Sequence, residues 1–164
     1  MTNVESSVTV RIASAADLEA LVRLAVAFRD HLTHVTPSEE AFRVSIAQLL
    51  QDTGVEFFVG CDDRGARLGY VQCRYRYSAW VSGLEAELED VFVVPAARRR
   101  GVGRQLIEFA LNRARENGCR SIGLNTNERK LEALALYRTF GFRSERPRWA
   151  GGRQLWLDRS LEAR

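Results

Sequence analysis

Four carboxylates crowd one short stretch of the chain, Glu85, Glu87, Glu89 and Asp90 in LEAELEDVFVV, and the sequence then turns basic in PAARRRGVGRQL. In an extended segment, alternation places Glu87 and Glu89 on one face and Leu88 and Asp90 on the other, unless a bulge shifts the phase. Carboxylates so grouped can hold a cation or take a proton from one. The basic run, Arg98, Arg99, Arg100, Gly101, Val102, Gly103 and Arg104, joins an apolar segment stopped by Pro95 to a helical pattern. Backbone N–H groups at such a helix start lack intrahelical partners, and glycine lets another group approach them closely. A pyrophosphate is the natural guest.

Two familiar phosphate loops do not fit. A Walker A loop ends in Gly-Lys-Ser/Thr, whereas this one continues Gly103-Arg104-Gln105, and a dinucleotide fingerprint needs glycine where Leu106 stands. Nucleic-acid binding by Arg98 to Arg100 would call for a broader basic face or interleaved aromatics. A solvated loop stays open on the arginines alone.

Charge is unevenly spread. Residues 1–97 carry 8 basic and 14 acidic side chains, and residues 98–164 carry 16 and 7. The second half therefore suits an anionic ligand and the acidic cluster a cationic one, although charges of either sign also cover solvated faces. His31 and His34 could share a helix face, but further metal ligands are lacking nearby. Cys61, Cys73 and Cys119 are odd in number and far apart, which fits core or strand positions and neither a disulfide framework nor a zinc pattern.

The elements that must position these groups follow from periodicity. With 164 residues, 46% of them hydrophobic, the expectation is a single domain over 1–164. The amino terminus lacks a signal pattern and no apolar run approaches ~18 residues, so a soluble, cytoplasmic protein without membrane contact is expected. Val8, Val10 and Ile12 alternate as a strand. Ser14 and Asp17 form a capping box for a helix, and Thr36, Pro37 and Glu39 open a second with proline at its first position. VEFFVGC and RLGYVQCRYRY read as a hairpin, followed by the long strand LEAELEDVFVV. Gly103 to Asn117 reads as a helix, SIGLNTN as a strand, Lys130 to Phe140 as a helix, and GFRSE and RQLWLDR as two last strands. The order β α α β β β α β α β β predicts an α/β (α+β) domain with a mixed, mostly antiparallel central sheet of about seven strands and about four helices.

The strand ending VFVVP, the segment RRRGVGRQL, the strand SIGLNTN and the helix EALALYRTFGF together resemble the acetyl-CoA-binding core of the GNAT N-acetyltransferase superfamily, over about residues 84–143. The resemblance implies that the loop Arg98 to Arg104 holds the pyrophosphate of acetyl-CoA. It implies that the main chain of Val91, Phe92 and Val93, splayed by a bulge, pairs with the pantetheine arm as an added strand would. Tyr137 occupies the position of the usual general acid, although its other role is that of an amphipathic core residue. Lys130 stands where many members carry asparagine, and it cannot copy an amide's acceptor.

The stretch LEDVFVV is also similar to the polyamine acetyltransferase branch, which implies Glu89 as catalytic base, Asp90 as amine anchor and Glu87 as the fallback. The implied reaction is direct acetyl transfer to a primary amine, without metal or covalent intermediate, with a backbone N–H near Val93 holding the oxyanion. A small cationic amine is the expected acceptor, a protein amine the alternative, and a silent acyl-CoA-binding module the rival. Tyr75, Tyr77, Trp80 and the segment His31 to Pro37 are placed in acceptor selection. Exposed C-terminal strand edges suit a homodimer.

Overall fold

The structure, a computed structural model, describes residues 7–144 and 157–161. Five strands form one sheet in the order β1-β2-β3-β4-β5: β1 Thr9–Ile12, β2 Val55–Cys61, β3 Arg67–Ser78, β4 Gly83–Val93 and β5 Ser121–Leu124. Neighbours are antiparallel except β4 and β5, which are parallel. Four α-helices accompany them: α1 Leu18–His31, α2 Glu39–Leu49, α3 Val102–Glu116 and α4 Leu131–Thr139.

The mixed α/β architecture agrees with the periodicity, but the described sheet has five strands and not about seven. The expected strand GFRSE spans residues 141–145, and 141–144 are described without a strand; RQLWLDR spans 153–159, of which 153–156 lie outside the described residues and 157–159 carry no strand. Pro37 is not at the first helical position as its sequence suggests but two residues before it, since α2 begins at Glu39. Ser38 is the N-cap of α2 because its Oγ accepts from the Ala41 N–H at 3.1 Å, satisfying a donor that the helix cannot.

Strand alternation sends side chains to two cores. Phe57, Val59, Tyr70 and Phe92 pack beneath α1 and α2 against Leu21, Val22, Ala25 and Ile46. Phe58, Val71, Cys73, Ala86 and Leu88 pack on the other face against Val102, Leu106, Ile107 and Ala110 of α3, with Tyr137 of α4 in the same cluster. At the outer edge Asp17, 1% exposed, accepts from Arg11 through two 2.7 Å bonds, from Arg67 at 2.9 Å and from the Ser14 N–H at 2.9 Å. Its carboxylate thereby ties β1, the helix start and β3 together.

Candidate active site

The site begins with a register shift. Gln72 of β3 faces Asp90 and Cys73 faces Leu88, so Glu89 is an extra residue in β4. Its insertion reverses the alternation: Ala86 and Leu88 enter the α3 core, whereas Phe92 enters the α1 core. The phase shift that a bulge would impose thus occurs at Glu89 and brings Asp90 onto the face of Glu89. Its Oδ2 accepts from the Tyr70 hydroxyl at 2.8 Å, on the same row of β3 that binds Glu89.

That row is Tyr70, Gln72, Arg74 and Arg76. Glu89 accepts from Arg74 Nε at 2.7 Å and, through its other oxygen, from Gln72 Nε2. Arg76 donates to Glu85 at 2.8 Å and to Glu87 at 3.3 Å, and Glu87 also accepts from Asn125 at 3.2 Å. All four carboxylates thus lie on the α1 face of the sheet, with two arginines among them. Burial pushes the Asp90 carboxyl up from its ordinary value, against the stabilising Tyr70 bond.

The same bulge opens an edge. Strand β5 pairs with β4 only from Glu85 to Leu88, so Val91, Phe92 and Val93 are bonded to β3 alone among the described residues. Close approach is built in on the β3 side, where a Cβ on Gly69 would lie 2.5 Å from the Phe92 carbonyl oxygen. The Val93 carbonyl accepts from Arg98 Nε at 3.1 Å, and the Arg98 guanidinium lies 5.9 Å from the Phe92 ring centre.

Beyond the open edge the chain makes one turn of 3-10 helix, Pro95–Ala97, and enters α3. Arg99 and Gly101 take left-handed φ values of 60° and 78°, so the backbone turns sharply at two positions just before the helix start. Nothing lies within 4 Å of where a Cβ on Gly101 would be. Arg99, Arg100 and Arg104 are exposed, Arg104 reaching Thr139 Oγ1 at 3.3 Å and lying 5.2 Å from the Phe140 ring centre. Val102 is a core residue by its side chain, so only its main chain can face a ligand. Open edge, sharp turn and cations are contiguous in the chain, an arrangement that suits an extended anionic ligand.

Residues 20–142 match the sequence model of the Acetyltransferase (GNAT) family. The chain belongs to that family. By this membership it is an acetyl-CoA-dependent N-acetyltransferase. The GNAT relatives include an aminoglycoside N(6')-acetyltransferase type 1 of Stenotrophomonas maltophilia, 27% identical over 85% of this chain and 88% of its own length. A thialysine N-epsilon-acetyltransferase of Sus scrofa is 33% identical over 46% of this chain and 44% of its own. An uncharacterized N-acetyltransferase of Methanocaldococcus jannaschii is 34% identical over 52% of this chain, a stretch that spans only 38% of that relative. The fold of an aminoglycoside N-acetyltransferase solved with CoA superposes with a TM-score of 0.76 at 22% identity, covering 98% of this chain and 99% of that one.

Within this GNAT core Tyr137 is 9% exposed and packs edge-on against Phe142, ring centres 5.9 Å apart. Its hydroxyl makes no hydrogen bond among the described residues, and burial raises its pKa, so it carries its proton at neutral pH. Lys130 is exposed and caps α4. Tyr75 is not with the acidic row: its hydroxyl donates to Glu56 at 2.7 Å on the α3 side, where Arg113 holds the same carboxylate at 2.6 Å. Tyr77 and Trp80 lie exposed near the β3–β4 turn.

Sequence reasoning passed over Tyr70 and Arg74 as ordinary strand residues, and their part became visible only with the register. It placed His31 in the segment expected to select the acceptor and gave it no part in proton transfer. The ring of His31 lies 6.2 Å from that of Phe92, which no spacing between two such distant elements announces.

Proposed function

We propose that this enzyme transfers the acetyl group of acetyl-CoA directly to a primary amine of a small cationic molecule. The observation that carries the reading is the bulge at Glu89, which sets an acidic face and an open strand edge side by side. Acetyl-CoA supplies the activated acyl group. The main chain of Val91, Phe92 and Val93 aligns its pantetheine arm. Arg98, Arg99, Arg100, Gly101, Val102, Gly103 and Arg104 hold its pyrophosphate through helix-start N–H groups and charge. Lys130 adds a point charge where an amide contact is common in the family.

The acceptor ammonium is held by Asp90 and Glu87 together with Glu89. Both oxygens of Glu89 already accept hydrogen bonds, which suits it to fixing a cation next to Arg74. The aminoglycoside and thialysine amines named for relatives are cationic acceptors of the kind such a face suits. Tyr137, protonated at neutral pH, gives its proton to the departing thiolate.

The rival reading is a silent acyl-CoA-binding module. The variant Tyr137→Phe separates the two. Thiol release in the presence of amine should fall roughly 10²- to 10⁴-fold while calorimetric acetyl-CoA binding stays unchanged; unchanged turnover removes the general-acid assignment.

A further inference from the structure

His31 is the last residue of α1, the helix that packs on the Tyr70 and Phe92 face of the sheet. Phe92, the third residue beyond the bulge, is enclosed by Phe28 stacked at 5.1 Å, His31 at 6.2 Å and Tyr70 at 6.5 Å between ring centres. Tyr70 in turn holds Asp90, so His31 and the amine-binding carboxylates share one face of the sheet. The imidazole is exposed, and neither ring nitrogen has a hydrogen-bond partner among the described residues. We propose that His31 takes the proton that the acceptor ammonium must lose before it attacks. The assignment rests on the transferase reading above and adds to it a residue that neither the motifs nor the relatives' names supply.

The charged groups around it favour the neutral ring. Arg98, from the turn after β4, and Lys130, from the start of α4, both disfavour imidazolium, and desolvation against Phe92 does so first. On its own helix Arg29 is paired with Asp30 at 2.7 Å, and β4 presents Asp90, held by Tyr70, on the same face of the sheet. His31 therefore loses its proton below the ordinary histidine value of 6.5 and is a free base at neutral pH. A base titrating near the working pH serves general-base catalysis better than a carboxylate titrating near ~4.

The step balances without further reactants. The ammonium gives one proton to His31, which passes it to water from its exposed side. The neutral nitrogen attacks the acyl carbon, the N–C bond forms and the C–S bond breaks. The thiolate takes its proton from Tyr137, which recovers one through solvent as the amide nitrogen loses its second.

The test is the pH dependence of kcat/KM for thiol release, with acetyl-CoA and each of spermidine, an aminoglycoside and thialysine, in the wild type, H31Q and D90N. In the wild type the profile should fall as pH drops through a value below 6.5 and be level above it. In H31Q the rate at pH 7 should drop roughly 10²-fold or more and climb about tenfold per pH unit toward the amine pKa of ~10.4, with acetyl-CoA binding intact by calorimetry. An H31Q profile that keeps the level region overturns the assignment, as does its loss in D90N alone. A wild type that releases no thiol with any amine instead overturns the transferase reading and this assignment with it.

Discussion

At the scale of single residues, the site separates two kinds of acidic side chain that look alike in the sequence. Glu89 is spent on Arg74 and Gln72, whereas Asp90 is half-buried and accepts from Tyr70 alone among the described residues. The difference arises because the inserted residue faces outward while its successor turns into the core. Glu89→Gln keeps the shape and removes one anchoring charge, so steady-state kinetics should show the KM for a cationic amine rising about tenfold with kcat changed less than threefold. A fall in kcat with KM unchanged would instead place Glu89 in the proton transfer. Residue types at this stretch were legible without coordinates, and so was the dependence of their faces on a bulge. The position of the bulge was not, because it is decided by pairing with Gln72 and Cys73 some 17 residues away.

At the scale of elements, most starts and stops were legible because their causes are local. Gly118 and Gly141 end α3 and α4 with φ values of 74° and 84°, as αL caps require. The capping interaction of Asp17 with the Ser14 N–H was equally local. Its larger role was not: Arg11 and Arg67 make Asp17 the tie between β1, β3 and the start of α1. The two guanidiniums hold its carboxyl far below the ordinary value of 3.8, so its contribution is complete above that value and fades as pH falls through the lowered one. Asp17→Ala should cost about 3 kcal/mol of stability, read by urea denaturation at pH 7. The gap to the wild type should be level down to pH 5 and narrow below pH ~4. A gap that widened on acidification would contradict the ion-pair account.

At the scale of the whole molecule, the division of charge has a structural counterpart. The excess of cations after residue 97 is gathered partly at the α3 start, just beyond β4, and four of the fourteen acidic residues before it, Glu85, Glu87, Glu89 and Asp90, lie on β4 itself. The single strand β4 therefore carries both gradients, one for an anionic donor and one for a cationic acceptor. The α/β class and the chain order of the elements from β1 to α4 were legible, since each helix and strand shows its own period. The count of strands was not, since short C-terminal runs such as GFRSE have the composition of strands whether or not a partner edge is present.

The measurement closest to the central claim is thiol release from acetyl-CoA with a panel of amines, paired with mass detection of the acetylated product. Release matched one-for-one by N-acetylation of a cationic amine, and weaker with a neutral or acidic one, is the result predicted by the acidic face beside the open edge. Tight acetyl-CoA binding with no thiol released by any amine would contradict it and leave the silent binding module standing.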